Sequence, residues 1–266
     1  MTTDPVVAKQ RVRAFWEATP CGTRGFEQPE ASPEFFARLE RERDAREPFI
    51  SRFARFGEWR GRWVLEVGVG AATDFVRFAR AGAVLTGVDL TQHAVDLARR
   101  RLVLEGFAAE VHRADAEQLP FADGSFDFVY SWGVIHHTAD PGLAAREIVR
   151  VLKPGGEACV MVYHLHSLVA LQCWVWNGLL AARPWRSLRE VVAAHIESAG
   201  TRAYTTAEAG ALFDGLDDVG VTPVVTPYDV RLTRSLYLPP WIRRWVPRRF
   251  GWFLVVTGRR PHATRR

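Results

Sequence analysis

Glu66 stands two residues ahead of the first glycine in the run Val64-Leu65-Glu66-Val67-Gly68-Val69-Gly70-Ala71-Ala72-Thr73, and Asp89 follows Gly68 by twenty-one residues. An apolar run that passes straight into glycines predicts a buried strand turning sharply into a helix, with backbone bare enough for a ligand to approach the strand's carboxyl end. An acidic side chain at the end of the next strand accepts hydrogen bonds from ribose hydroxyls. Glu66 adds a second condition. A carboxylate this close to the turn repels an anion and attracts a cation, so the expected ligand carries a ribose and a positive group.

Two cofactors bring a ribose to such a turn. A dinucleotide needs a third glycine and a helix amino end facing its pyrophosphate, whereas Ala71, Ala72 and Thr73 stand there and Glu66 would repel the phosphates. S-adenosylmethionine offers an ammonium instead, so the residues favour the methyl donor. Bland readings stand beside these: a glycine turn packs strands on helices, Asp89 can cap a helix starting near Thr91, and Asp127 can satisfy nearby backbone. A purely structural role does not explain the whole ordered set.

That set continues through Thr86-Gly87-Val88-Asp89-Leu90-Thr91, Ala114-Asp115-Ala116-Glu117-Gln118-Leu119-Pro120-Phe121, Ser125-Phe126-Asp127-Phe128-Val129-Tyr130-Ser131-Trp132-Gly133-Val134-Ile135-His136-His137 and Leu152-Lys153-Pro154-Gly155-Gly156. Over about residues 60 to 165 these blocks resemble the class I S-adenosylmethionine-dependent methyltransferases, in particular the small-molecule enzymes with a Methyltransf_11-type core. The resemblance implies an S-adenosyl-L-methionine site in which Glu66, Gly68, Gly70 and Thr73 line the methionine part. It implies that Asp89 holds the ribose, Leu90 packs on the adenine, and Asp115, Ala116 and Glu117 meet the adenine edge. Ser131 and Trp132 would lie beside the sulfonium and the transferred methyl. Ala71-Ala72 in place of a further glycine is a mild departure, and the acceptor is left open.

Methyl transfer is an in-line displacement, so a protein must chiefly align the acceptor and exclude water. A hydroxyl acceptor also needs a proton acceptor, and His136 and His137, with His164 and His166, follow predicted strands at the ligand end of the sheet. His137 and His136 are the catalytic candidates, while a carboxylate or thiolate acceptor would need no base. The segment Phe15-Trp16-Glu17-Ala18-Thr19-Pro20-Cys21-Gly22-Thr23 is similar to the start of bacterial natural-product and cell-envelope methyltransferases, which implies a lid closed by Phe15 and Trp16. Cys21 has no evident His partner and is expected to be a packed cysteine. His164 and Trp174 complete the expected acceptor side.

The elements that must position these groups follow from periodicity. Apolar runs at 63–67, 84–88, 109–112, 126–130, 157–163, 219–226 and 250–257 predict strands, and 72–81, 91–105, 141–152 and 206–213 predict helices. This is an α/β pattern: a Rossmann-like, doubly wound, mostly parallel seven-stranded sheet. The expected divisions are 1–60, an N-terminal helical lid; 61–163, the cofactor-binding core; 164–205, a helical insertion capping the substrate; and 206–266, the rest of the sheet with a basic, Trp-rich segment. The insertion from Ser167 to Ala182 has no charged residue, and sixteen residues as a helix fall short of a bilayer. It could roof an apolar pocket, lie in a membrane interface, or pack in a core or homodimer contact.

Composition is globular, with 48% hydrophobic and 24% charged residues. The three cysteines are scattered, which predicts neither a disulfide framework nor a metal site, and the charged start MTTDPVVAKQRVR predicts no export signal and a cytoplasmic protein. The net charge of +5 hides an asymmetry: residues 231–266 hold ten arginines and no acidic residue, leaving 25 basic against 30 acidic elsewhere. Arginines set among Leu236, Leu238, Trp241, Ile242, Trp245, Phe250 and Trp252 read as amphipathic anchors for peripheral membrane contact more than as phosphate readers. No nucleic-acid partner is expected; the acceptor expected is a small, hydrophobic molecule, with O-methylation favoured, an RNA methyltransferase or a non-catalytic cofactor-binding subunit being the alternatives.

Overall fold

The computed structural model describes residues 5–262 apart from 19, 24, 28, 29, 199 and 231–238; Thr19, Leu236 and Leu238 lie outside the described residues. The chain opens with α1 (Pro5–Ala18), α2 (Pro33–Arg46) and α3 (Ile50–Ala54), then alternates β1 (Trp63–Val67), α4 (Phe75–Ala81), β2 (Val84–Asp89), α5 (Gln92–Glu105) and β3 (Glu110–Arg113). β4 (Phe126–Trp132), α6 (Pro141–Val151) and β5 (Leu152–His164) follow. Next come α7 (Leu168–Trp174), α8 (Leu188–His195), β6 (Ala203–Tyr204), α9 (Thr206–Ala211), β7 (Asp217–Val224) and β8 (Phe253–Arg259).

Seven strands lie in the order β3-β2-β1-β4-β5-β8-β7, and the two-residue β6 pairs with the end of β5. β1 to β5 run parallel, while β8 is antiparallel to both β5 and β7. Strand alternation explains the two helical layers. Val64, Phe128, Tyr130 and Trp132 face one core with α3, α4 and α5; Leu65, Val67 and Val129 face the other with α6 and α9. On the first face Trp59 stacks on Phe128 at 4.1 Å and its Nε1 donates to the Ala54 carbonyl.

The strand order reverses between β1 and β4, and a crevice opens outside their carboxyl ends. Local capping aims the helices there: Thr91 Oγ1 accepts from Ala94 N to start α5, and Asp140 accepts from Leu143 N ahead of Pro141 to start α6. Ala72 takes a left-handed φ of 59° at the departure noted in the glycine loop, a strain of about 1–2 kcal/mol that its fully buried packing holds.

The insertion is not one sixteen-residue helix. α7 ends at Trp174 and passes into a π-helical turn at Val175–Leu179, where Asn177 Nδ2 donates to the Cys173 carbonyl four residues back. That side-chain bond competes with the regular backbone ladder, and Gly178 adds conformational freedom. Trp252 is buried rather than a surface anchor: just ahead of β8 it stacks on Tyr163 of β5 at 4.3 Å. Among the described residues no helix is long and apolar enough to cross a membrane.

Candidate active site

Two adjoining hollows of about 400 and 440 Å³ fill the crevice, sharing Gly68, Gly70, Trp132, Trp16 and Glu197 as common wall. The glycine turn makes their floor. Gly68 has φ +83°, and a Cβ there would fall 2.2 Å from Val134, so any side chain would collide. Gly70 has φ +49° with nothing within 4 Å of the place a Cβ would occupy, so its backbone faces open space.

In the first hollow Asp89 Oδ2 accepts from Gly70 N at 3.1 Å, while Oδ1 accepts from Thr91 N and Thr91 Oγ1 at 3.0 and 2.8 Å. Asp89 thus braces the turn, and Oδ2, which accepts a single bond, retains capacity for a further donor. Leu90, Asp115, Ala116 and Glu117 line the same hollow. Asp115 Oδ1 accepts from Glu117 N, and Lys9 of α1 reaches Asp115 and Glu117 at 2.7 Å each. Glu17, farther along α1, accepts from Gln92 N and His93 N at the start of α5. Lys9 and Glu17 therefore fasten α1 across the hollow, contacts that no motif in the sequence announces.

The second hollow is acidic. Glu66 and Thr73 line it, and so does Phe15, while Trp16 lines both. Arg43 from α2 pairs with Asp74 at 2.5 Å and with Glu47 at 3.3 Å, Tyr130 donates to Asp74, and Trp132 Nε1 donates to Glu47 at 2.7 Å. Three buried carboxylates, Glu47, Glu66 and Asp74, thus stand around one partly buried guanidinium. Glu66 Oε2 has no hydrogen-bond partner among the described residues. Burial, with Asp74 alongside, pushes Glu66 well above the usual carboxylate range.

At the other end of the first hollow stand Met161, Tyr163, Val169, Tyr228, Trp252 and Phe253, an apolar and aromatic wall interrupted by His137 and Glu197. His137 Nε2 lies 3.1 Å from Glu197 Oε2, and Tyr163 Oη donates to that same oxygen at 2.7 Å. Behind the ring, Nδ1 meets the hydroxyls of Ser198 and Thr201 at 2.9 and 3.0 Å. Glu197 holds a left-handed φ of 53°, a strained conformation of about 1 kcal/mol or more. Such strain persists where surrounding contacts over-determine it. Glu197 lies outside every motif, sixty residues from His137, so no spacing signal could have found it.

Not every expected residue reaches the cavity. Ser131 is fully buried and its hydroxyl donates to the Val67 carbonyl, because its position on β4 turns it into the sheet. His136 is fully buried behind His137, 4.0 Å from the Tyr163 ring, and burial keeps it neutral by lowering its pKa well below the ordinary value. His164 is spent on the Gly251 carbonyl, and Trp174 donates to the Arg186 carbonyl away from both hollows. Cys21 is exposed and lines both hollows rather than being packed, since the chain between α1 and α2 runs along their rim. His136, His137 and Glu197 bring ligating atoms within 4.8 Å of one another, a set with metal-ligating chemistry.

Residues 65–160 match the methyltransferase domain family. They form a class I S-adenosylmethionine-dependent methyltransferase domain. Methyltransferase GfsG of Streptomyces halstedii is 36% identical over 103 residues, covering 38% of this chain and 37% of that protein. O-methyltransferase rstn1 of Aspergillus nomiae is 35% identical over 109 residues, 40% of this chain and 48% of that one. The match therefore spans less than half the length of these relatives. In fold, the domain and its flanks resemble a Haemonchus contortus phosphoethanolamine N-methyltransferase solved with S-adenosylhomocysteine (TM-score 0.63, 18% identity, 94% of this chain and 60% of that one). They also resemble the [4+2]-cyclase SpnF (TM-score 0.57, 18% identity, 97% and 93%).

The cavity of the methyltransferase domain fits S-adenosylmethionine. The partnerless Glu66 oxygen, set among an excess of buried carboxylates, suits a cationic ligand and would be penalised beside a phosphate. Open space over Gly70, with Asp89 and Leu90 next to it, suits a nucleoside.

Proposed function

We propose that the protein transfers the methyl group of S-adenosylmethionine to the hydroxyl oxygen of a small hydrophobic acceptor, with the Glu197–His137 pair taking the hydroxyl proton. The observation that carries this reading is the placement of that pair in an otherwise apolar and aromatic wall. The cofactor supplies an electrophilic methyl carbon activated by positive sulfur. The chain supplies the rest. Glu66 and its carboxylate neighbours favour the ammonium, Asp89 the ribose, and Leu90, Asp115, Ala116 and Glu117 surround the adenine.

Tyr163, Val169, Tyr228, Trp252 and Phe253 bury an apolar acceptor and keep water out. Glu197 reaches the cavity with its side chain 36% exposed, whereas His137 is 4% exposed and stands behind it. Tyr163 donates to the Glu197 oxygen that His137 Nε2 approaches to 3.1 Å, which holds the carboxylate toward the acceptor beside a ring nitrogen able to share the proton it receives. Ser198 Oγ can donate to His137 Nδ1, leaving Nε2–H to face Glu197. Trp16 of α1 packs its ring edgewise on His137 at 5.2 Å and closes the near side.

No nucleic-acid partner enters this reading, because the acceptor wall is apolar rather than basic. The test is a comparison of Glu197→Gln and His137→Asn with the parent enzyme on a methylated acceptor. Each should lower kcat about a hundredfold while leaving KM and cofactor affinity unchanged, as for loss of a general base. Unchanged kcat in both variants would remove the pair from the chemistry.

A further inference from the structure

The elements that form the acceptor wall have a second side. Val169 of α7, Tyr228 in the short helical turn Pro227–Val230 and Trp252 look into the cavity. That turn packs on α7, and the 3-10 helix Pro240–Trp245 packs on the turn. The outer side of this row is apolar and basic. Trp241 is 58% exposed and Trp245 71%, and farther along the insertion Leu179, Leu180 and Trp185 are exposed as well.

Arg244 lies over the rings of both Trp241 and Trp245, at 5.8 and 5.4 Å from their centroids. Arg248 and Arg249 are exposed in the next turn, and no acidic residue occurs from 231 onward. A soluble protein that exposes tryptophans gains nothing from them in water. Tryptophan is at home where an apolar region meets polar headgroups, and an arginine held against its ring face is placed to meet a phosphate in the same plane. A nucleic acid would use the charges without needing the exposed Trp241 and Trp245 rings beside them.

We propose that this face seats on an anionic phospholipid surface, with Trp241 and Trp245 at the interface and Arg244, Arg248 and Arg249 on lipid phosphates. The elements lining the acceptor end of the cavity then rest against the bilayer, where a hydrophobic acceptor partitions. The proposal rests on the outer surface alone and does not depend on methyl transfer.

Co-sedimentation of the full chain with phosphatidylcholine vesicles, with and without phosphatidylglycerol, tests it. Each arginine near an anionic surface contributes roughly fivefold to partitioning, so the three together give about a hundredfold, which salt screens. The expected result is binding that requires phosphatidylglycerol, falls about a hundredfold at high salt or in Arg244→Gln/Arg248→Gln/Arg249→Gln, and falls at least about tenfold in Trp241→Ser/Trp245→Ser. These side chains are exposed, so the variants should keep parental melting temperatures and cofactor affinity, measured on the same samples. No binding at low salt overturns the proposal. So does binding indifferent to the tryptophan pair, or RNA retention matching vesicle retention in every variant, since these mark a general anion site.

Discussion

Replacing Glu66 with Gln should move stability and cofactor affinity in opposite directions. Glu66 is 4% exposed, its Oε2 has no partner among the described residues, and burial with Asp74 nearby raises its pKa above the ordinary value near 4.5. A carboxyl group whose folded-state pKa lies above its unfolded value binds its proton more tightly when folded. Stability is therefore full below the unfolded value and is lost as pH rises through the folded one, each tenfold difference in proton affinity between the two states being worth about 1.4 kcal/mol. Glutamine removes that penalty at neutral pH, and for a domain of this size each kcal/mol recovered raises Tm by about 2–4 °C.

Affinity should change the other way. An ammonium favours the ionised carboxylate, so the parent protein should release a proton on binding S-adenosylmethionine, and its affinity should rise with pH across the acidic to neutral range. Losing one charge-assisted hydrogen bond costs about 1.5–3 kcal/mol, or roughly ten- to a hundredfold in Kd. Differential scanning calorimetry gives the first number; isothermal titration in buffers of unequal ionisation enthalpy gives the second and counts the proton. A Glu66→Gln protein with lower Tm and unchanged Kd, or a parent protein that releases no proton, would refute the placement of Glu66 against the ammonium.

Asp89→Asn should weaken cofactor binding by about ten- to a hundredfold and also cost about 1 kcal/mol of stability, because its oxygens already brace Gly70 and Thr91; unchanged calorimetric Kd in the folded variant would take Asp89 out of the nucleoside site. Trp59→Ala removes the stack on Phe128 and should cost about 3–5 kcal/mol in urea unfolding with cofactor affinity per folded molecule preserved, since Trp59 lies in neither hollow. A loss below about 1 kcal/mol would show that this face of the core is not packed as described.

The residues proposed to hold the cofactor were legible as a group because they come from contiguous blocks. Strand, glycine turn and acidic residue occur in one short run, and the parallel order of β1 to β5 follows from alternating strand and helix patterns. The acceptor half was not. Glu197 comes from the segment after α8, Tyr163 from β5 and His137 from the turn after β4, and only tertiary packing brings them together. Ser131 and His136 misled because neighbours in sequence point to different sides: one residue places Trp132 in the cavity and Ser131 in the sheet, and His137 faces Glu197 while His136 is sealed behind it. The contacts of Lys9 and Glu17 were not legible, since nothing local reveals that α1 crosses the start of α5.

The most direct measurement is to incubate the protein with methyl-labelled S-adenosylmethionine and fractionated hydrophobic metabolites, and to identify labelled products by mass spectrometry. The expected result is an organic-extractable product carrying one new O-methyl group, formed by the parent protein and suppressed in Glu197→Gln. Cofactor that binds while no label leaves it for any hydroxyl-bearing fraction, or label recovered in RNA, would contradict the proposed reaction.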